Sequence, residues 1–327
     1  MNYCLKNSWN STQSTYSARM MQFDLLIPSH GGINPISHLL QSLHDQTILP
    51  TRLVILVRQE KTVAQLQEFI NEVHLVLDGL DIDIVVLHSS YTDHNPWHGV
   101  GYDRHFLITQ AQSEYLCMID EDNVLPPKQL DLWIQSYTQV VQTTWKEAIV
   151  SPTIMRRGKI QSQWIIWFTY LFPKYQFWRL TDKPWHEVKM LWANSLFGRT
   201  AIFQQIQFDP LFTWSYEDID FTTRVRLAWY SVIVLRDCII DHQEWRKTRL
   251  QELFLWNSTT ARIRSCNRIL RVRKTATRRQ KIQYLGVWVW VQTWWRMVFV
   301  FQYGWKQKRP IIWSIFRWIR EGIWKKL

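Results

Sequence analysis

From Met21 to the middle of the chain, apolar runs of strand length alternate with stretches whose apolar residues recur at helical spacing. That alternation constrains the fold more than any other feature. Phe23–Pro28 (FDLLIP), Leu53–Val57 (LVILV) and Ile82–Leu87 (IDIVVL) read as buried strands. Between the first two, Asn34-Pro35 read as N-cap and N1 of a helix with the stripe Ile36, Leu39, Leu40 and Leu43. Between the second and third, Thr62–Leu80 reads as a helix with the stripe Val63, Leu66, Phe69, Ile70, Val73 and Leu77. The order βαβαβ with nearly continuous apolar strands predicts an α/β domain with a parallel sheet covered by helices on both faces. In such a sheet, ligands gather outside the carboxyl ends of the strands.

A fourth apolar run, Tyr115–Ile119, ends abruptly in Asp120-Glu121-Asp122, followed by Asn123 and the breakers Pro126-Pro127. A buried strand that runs out into acids places those acids at the ligand-binding edge. Two carboxylates at i and i+2 there can share one hard divalent cation, whose remaining positions go to water and substrate phosphates. A lone D-x-D is more often a solvated turn, so its surroundings decide.

Upstream, the loop 88–101 holds His88, His94 and His98, with His105 beyond it. Their spacing is irregular and no Cys joins them, so a metal site is not expected there. Gly99-Val100-Gly101 ahead of a helix Tyr102–Gln112 reads as a turn that a phosphate can approach. Downstream come a helix Leu130–Val141 and a strand Ile149–Val150 ending at Ser151-Pro152. Residues 160–192 are aromatic and irregular, which fits an acceptor lid, a membrane contact or an ordinary aromatic subcore. Trp192–Phe197 and Gly198 lead into a short helix, Thr200–Gln205, and Phe208-Asp209-Pro210 is a turn. Trp214–Asp220 (WSYEDID) opens a helix running through Trp229, with acids in the first turn, where the helix dipole favours them. Ser231–Leu235 and Cys238–Ile240 read as short strands, the second ending at Asp241-His242.

Taken in order, these pieces are the opening L-L-I-P-S-H, the G-x-G-x-D-R helix, the strand into D-E-D, G-R-x-x-x-F…F-D-P…Y-E-D-I-D-F-x-x-R, and the strand into D-H. Over roughly residues 22–243 this pattern resembles a family 2, GT-A-type glycosyltransferase. The resemblance implies a Rossmann-like, mainly parallel sheet. It also implies transfer of a sugar from a nucleotide-diphosphate donor to a hydroxyl of a glycan or lipid-linked acceptor. On the matching positions, Asp122 is the principal ligand of a Mn²⁺ or Mg²⁺ ion that bridges the diphosphate, and His242 a further metal ligand. Asp120, Glu121 and Arg104 fall to the donor, and Ser29 and His30 lie near the nucleotide. Asp218 is the base on the acceptor hydroxyl, with Glu217 beside it contacting acceptor or sugar. The residue types suit the chemistry. A metal neutralises charge on a leaving diphosphate, and a carboxylate on the opposite face of the sugar takes the hydroxyl proton. One base and one metal-held leaving group imply a single displacement with inversion. The chain departs from the family where the second strand usually runs into an acidic D-D-x-S-type turn that reads the base. Here it runs into Arg58-Gln59-Glu60-Lys61.

Charge is unevenly spread. The formal net charge is +12, yet from Arg246 onward there are 20 Lys and Arg against 2 Asp and Glu, and before it 19 against 25. Trp is frequent, at 21 residues. Leu285–Phe301 is 17 residues long and contains Gln292 and Arg296, which favours lying in a membrane interface over crossing it. The last helix places Ile312, Ile315, Phe316, Ile319 and Ile323 on one face, with Arg317, Arg320, Lys325 and Lys326 largely off it. The expected organisation is a disordered tail at 1–20, a catalytic domain at 21–245, and a basic, Trp-rich helical region at 246–327 that meets an anionic membrane surface. No nucleic-acid module is recognisable, and the Trp-rich runs are too apolar for a wet groove, so nucleic acid is not an expected partner. The alternative is a non-catalytic nucleotide- or nucleic-acid-binding protein with a basic aromatic tail. Four scattered cysteines with no ligand spacing fit a reducing compartment, and the N-terminus has no apolar leader. The expected location is the cytoplasmic face of a membrane.

Overall fold

A computed structural model describes residues 21–58, 61–89, 99–156, 158–161, 164–165, 183–191, 194–212 and 216–243. The expectations for residues 1–20, Gln59, Glu60, His94, His98, most of the aromatic stretch, Trp214 and the entire 246–327 region lie outside those residues. Among the described residues, no helix is long and apolar enough to cross a membrane.

The first half follows the sequence pattern. β1 (Phe23–Ser29), α1 (Ile33–Gln41), β2 (Arg52–Val57), α2 (Val63–Val76), β3 (Asp83–His88), α3 (Val100–Gln110) and β4 (Tyr115–Ile119) come in that order. α1 starts two residues earlier than the Asn34-Pro35 signal implied, with Gly32 at its N-cap. α2 opens on a reciprocal capping box between Thr62 and Gln65. Of its expected stripe, Phe69, Val73 and Leu77 are buried, but Val63 is 87% exposed. Val63 occupies the first helical position, at the open end of α2, so it faces water.

The second half comprises β5 (Asn123–Val124), α4 (Gln129–Thr144), β6 (Ala148–Arg156), β7 (Lys159–Gln161), β8 (Trp164–Ile165), β9 (Trp185–Glu187) and β10 (Met190–Leu191). After these come β11 (Ser195–Arg199), α5 (Thr200–Ile206), α6 (Glu217–Leu227) and β12 (Ser231–His242). Two readings change here. β6 does not stop at Ser151-Pro152 but continues to Arg156, and the two short strands after Ser231 are one strand. A single feature explains both. Between Leu235 and Ile239 the register of β12 on β6 shifts, and Pro152 pairs with Leu235 at that irregularity. A bulge tolerates a residue with no N–H to donate.

The main sheet runs β3-β2-β1-β4-β11-β6-β12-β5. β3, β2, β1 and β4 are mutually parallel, and β6 and β12 are parallel to each other. β11 lies between the two blocks, antiparallel to both β4 and β6. The sheet is therefore mixed: its most extensive pairings are parallel, as expected, and β11 runs the other way between them. A short apolar run reads the same in either direction, so strand polarity was invisible in it. At Gly198 the two blocks come very close, since a Cβ there would fall 2.8 Å from the Ala148 carbonyl oxygen.

Side chains alternate between two cores. Phe23, Leu25, Ile27, Cys117 and Ile119 face α1, α2 and α4, where Leu39, Phe69 and Trp133 meet them. Leu26, Val54, Leu116 and Met118 face α3, α5 and α6 through Leu107, Phe203 and Phe221. After β1 the chain moves to β2 on one side, and β4 later takes the other side. The carboxyl ends of β1 and β4 therefore border the point where strand order reverses, which is where open α/β sheets bind ligands.

Candidate active site

β1 and β4 end side by side, and the chain beyond each is locked to the other. The Ser29 hydroxyl donates to Glu121 Oε2 at 2.6 Å, and the His30 amide donates to both Glu121 carboxylate oxygens at 3.1 and 3.2 Å. The Gly31 amide donates in turn to Ser29 Oγ at 2.9 Å. Glu121 is thus turned back onto β1, its side chain buried and both oxygens accepting protein hydrogens. Burial pushes its carboxyl above the ordinary range, with Ser29 and His30 pulling the other way. Of the three acids in the turn, Glu121 ties the turn down. Asp120 and Asp122 stay half-buried on either side of it.

Asp122 meets His242 because the end of β12 pairs with β5. His242 is opposite Asn123, and the Gln243 amide donates to the Asp122 carbonyl at 2.8 Å. Asp122 Oδ2 lies 3.5 Å from His242 Nε2, which is long for a hydrogen bond. Burial and then Asp120 raise the Asp122 carboxyl to about 6, opposed by His242. His242 Nδ1 is buried with no hydrogen-bond partner among the described residues. A carboxylate short of positive charge beside an under-bonded imidazole is a donor set that suits a divalent cation. Among the described residues there is no group of three or more His, Cys, Asp or Glu arranged to hold one. The protein would supply two ligands and leave the rest to water and phosphate, as is usual for Mg²⁺.

On the other flank, Arg104 of α3 is buried and reaches two acids at once. Its Nη2 donates to Asp120 Oδ1 and Oδ2 at 2.7 and 3.1 Å, and its Nη1 donates to Glu217 Oε1 at 2.9 Å. The guanidinium also lies 5.5 Å from the centre of the Phe208 ring. Burial alone would lower the Arg104 pKa, but Asp120 and Glu217 outweigh it and hold the group charged. Glu217 is raised by burial and opposed by Arg104, and its Oε2 has no hydrogen-bond partner among the described residues. α6 starts at Glu217 from a left-handed Tyr216 (φ 73), an uncommon conformation for a residue with a Cβ. Asp218 follows in the first turn, nearly buried, its Oδ1 accepting the Ile219 amide at 2.7 Å.

His30 senses the whole edge. Desolvation and then Arg58 lower its pKa, while Asp103, Asp120 and Asp122 act in the opposite sense. Arg58, just past β2, lies 3.6 Å from the buried Asp103 of α3. The expected donor, metal and base residues Ser29, His30, Arg104, Asp120, Glu121, Asp122, Glu217, Asp218 and His242 thus lie along one sheet edge. Their contacts differ in kind. Ser29 and Glu121 bond to each other, and Arg104 is engaged by carboxylates.

Gly101 changes meaning. A Cβ there would fall 2.5 Å from the Asp209 carbonyl oxygen and 2.6 Å from that of Phe212, and its amide donates to the Phe212 carbonyl at 3.0 Å. The glycine lets α3 pack against the 209–212 turn, so the room expected for a phosphate is filled by backbone. Sequence reasoning also missed Asn194. Its carbonyl accepts the Asp120 amide at 2.8 Å and its Nδ2 donates to Asn123 Oδ1 at 3.0 Å, which fixes the start of the acidic turn. Nothing in the sequence links two asparagines 71 residues apart.

No protein-family model and no curated protein matches the chain. Solved structures that resemble it include S. aureus TarS residues 1–349, at 16% identity and TM-score 0.52, over 94% of this chain and 82% of that one. The same TarS residues in complex with UDP-GlcNAc align at 15% identity and TM-score 0.55, over 92% and 81%. The chain therefore shares the mixed α/β fold of TarS.

Proposed function

We propose that this protein is a glycosyltransferase of the family 2, GT-A type, moving a sugar from a nucleotide-diphosphate donor to an acceptor hydroxyl with inversion. The observation that carries the reading is the convergence of two kinds of acid at one sheet edge. Asp122 faces His242 at the end of β12, while Asp218 stands at the start of α6 beside a glutamate that Arg104 ties to Asp120. The shared fold with TarS, whose structure with UDP-GlcNAc is known, supports a nucleotide-sugar donor.

In this reading Ser29 and His30 border the nucleotide, and Asp120 accepts from hydroxyls of the donor. Asp122 and His242 hold Mn²⁺ or Mg²⁺, which when bound supplies Lewis-acid neutralisation of the leaving diphosphate. Asp218 takes the proton of the acceptor hydroxyl as that oxygen attacks the anomeric carbon from the face opposite the diphosphate. Glu217 borders acceptor or sugar. The acceptor is a glycan or a lipid-linked glycan of a cell envelope. The +18 region from Arg246 onward holds the enzyme on the cytoplasmic face of an anionic membrane.

The test is a screen of nucleotide sugars, UDP-GlcNAc first, for donor hydrolysis and transfer. Turnover should stop with chelator and return with Mn²⁺ or Mg²⁺. Asp122→Ala should abolish it in a folded protein. Asp218→Asn should lower the chemical rate by roughly 10²–10⁴ with donor binding kept. Nucleotide binding with no turnover under any donor would instead favour a non-catalytic binding protein, and an active Asp122→Ala would remove the metal assignment.

A further inference from the structure

The buried Arg104 touches both sides of the edge. Asp120 stands at the end of β4, two residues before the candidate metal ligand Asp122. Glu217 stands at the start of α6, one residue before the candidate base. Both carboxylates accept from the same guanidinium, at 2.7 and 3.1 Å on Nη2 and 2.9 Å on Nη1. The side chain is 4% exposed and has little surface left to offer a ligand. Its carrier, α3, is itself seated by the close approach of Gly101 to the 209–212 turn. The helix it braces begins at an N-cap that makes no side-chain cap bond. Tyr216 has φ 73, and no Ser, Thr, Asn or Asp stands at that position to take up the first amides.

We propose that Arg104 is a positioning residue, a rigid strut that sets the distance and angle between the donor-side turn and the base-bearing first turn of α6. The planar fork of an arginine is what this task needs, because one rigid group must satisfy two carboxylates in different directions. A lysine keeps the charge but is a single flexible point donor and cannot fix both. The role rests on the function proposed above. Arg104 acts through Asp120 and Glu217 and contacts neither substrate.

Arg104→Lys should lower kcat about 10²-fold, the scale of a misplacement of about 1 Å in a reacting pair, with donor KM nearly unchanged. Arg104→Ala should lose at least as much and recover part of it when guanidinium ion is added at non-denaturing millimolar concentration. Methylammonium should not rescue. A loss carried wholly by donor KM would overturn the proposal and return Arg104 to donor binding. Wild-type kcat in Arg104→Lys would overturn it as well.

Amide hydrogen exchange in the full chain reads the same idea without turnover. Arg104→Lys should speed exchange together at Asp220, whose amide donates to the Tyr216 carbonyl, and at Asn123, whose amide donates to the Asp120 carbonyl, while β2 stays protected. Unchanged exchange at both sites, or exchange raised evenly over the whole domain, refutes the strut. If the wild type transfers no sugar, the proposed function fails, and exchange still decides the strut.

Discussion

Replacing Gly101 with alanine tests whether α3 is seated as described, because two effects of opposite sign compete there. At an open helical position the change would stabilise by up to about 1 kcal/mol through helix propensity. Here the new methyl would stand 2.5 Å from the Asp209 carbonyl oxygen and 2.6 Å from that of Phe212. Both are backbone atoms, so neither can swing away, and about 0.9 Å of movement is needed to reach the ordinary 3.4 Å contact. Such overpacking costs typically about 1–3 kcal/mol. Moving the helix out also lengthens the 3.0 Å bond from the Gly101 amide to the Phe212 carbonyl, worth about 1 kcal/mol. The net is a destabilisation on the order of 1–3 kcal/mol, or a Tm lower by about 3–10 °C for a domain of this size. Thermal unfolding by circular dichroism measures it. The same shift displaces Arg104, three residues along the helix, so turnover should fall at temperatures where Gly101→Ala remains fully folded. An unchanged or higher Tm would show that the space beside Gly101 is open and that the glycine serves a ligand instead.

Ser29→Ala removes the 2.6 Å bond to Glu121 and the acceptor of the Gly31 amide, and should cost about 1–3 kcal/mol in urea unfolding; an unchanged midpoint would mean that the latch between β1 and β4 contributes nothing. Glu217 titrates above its ordinary 4.5 because burial disfavours its charge. From that value up to its folded pKa the native state keeps a proton that the unfolded chain has released, so stability contributed by this group declines as pH rises through the window. Glu217→Gln should flatten the Tm-versus-pH profile just above pH 4.5, and an unaltered slope would assign the pH response elsewhere. Deleting residues 246–327 should abolish pelleting with anionic vesicles, whose attraction is about 1 kcal/mol for each Lys or Arg close to the surface; vesicle binding that survives the deletion would place the membrane contact in residues 1–245.

The strands and helices of the first half were legible because each apolar run is long and its helical partner carries a regular stripe. Leu53–Val57 and Leu39-Leu40 need no tertiary information to be buried. The acids of the site were legible for a related reason, since a strand that ends in Asp120-Glu121-Asp122 has one edge on which to leave them. What those acids do to each other was not. Glu121 accepts from β1, more than 90 residues away in sequence, and Arg104 divides itself between residues 16 and 113 positions distant. Such partners are set by the packing of three elements, and no local spacing encodes them. The direction of β11 and the continuity of β6 and β12 were hidden likewise, because hydrophobic runs carry no polarity and a bulge at Leu235/Ile239 looks in sequence like two strand ends.

The reversed strand between the two parallel blocks has a practical meaning for anyone who would build with this scaffold. Residues 23–119 form one parallel block, and β6 with β12 form another. β11 is the seam along which they are sewn, five residues in register on β4 from Ser195 opposite Ile119 to Arg199 opposite Tyr115. A chimaera that joins residues 23–119 of this chain to a second block from another chain of the same fold must carry that seam intact. Gly198 must go with it, because any larger residue would wedge the blocks apart at Ala148. A crossover after Arg199 keeps β11 on β4 but parts β6 from β12, which pair over eight residues, whereas a crossover inside 195–199 cuts the seam itself.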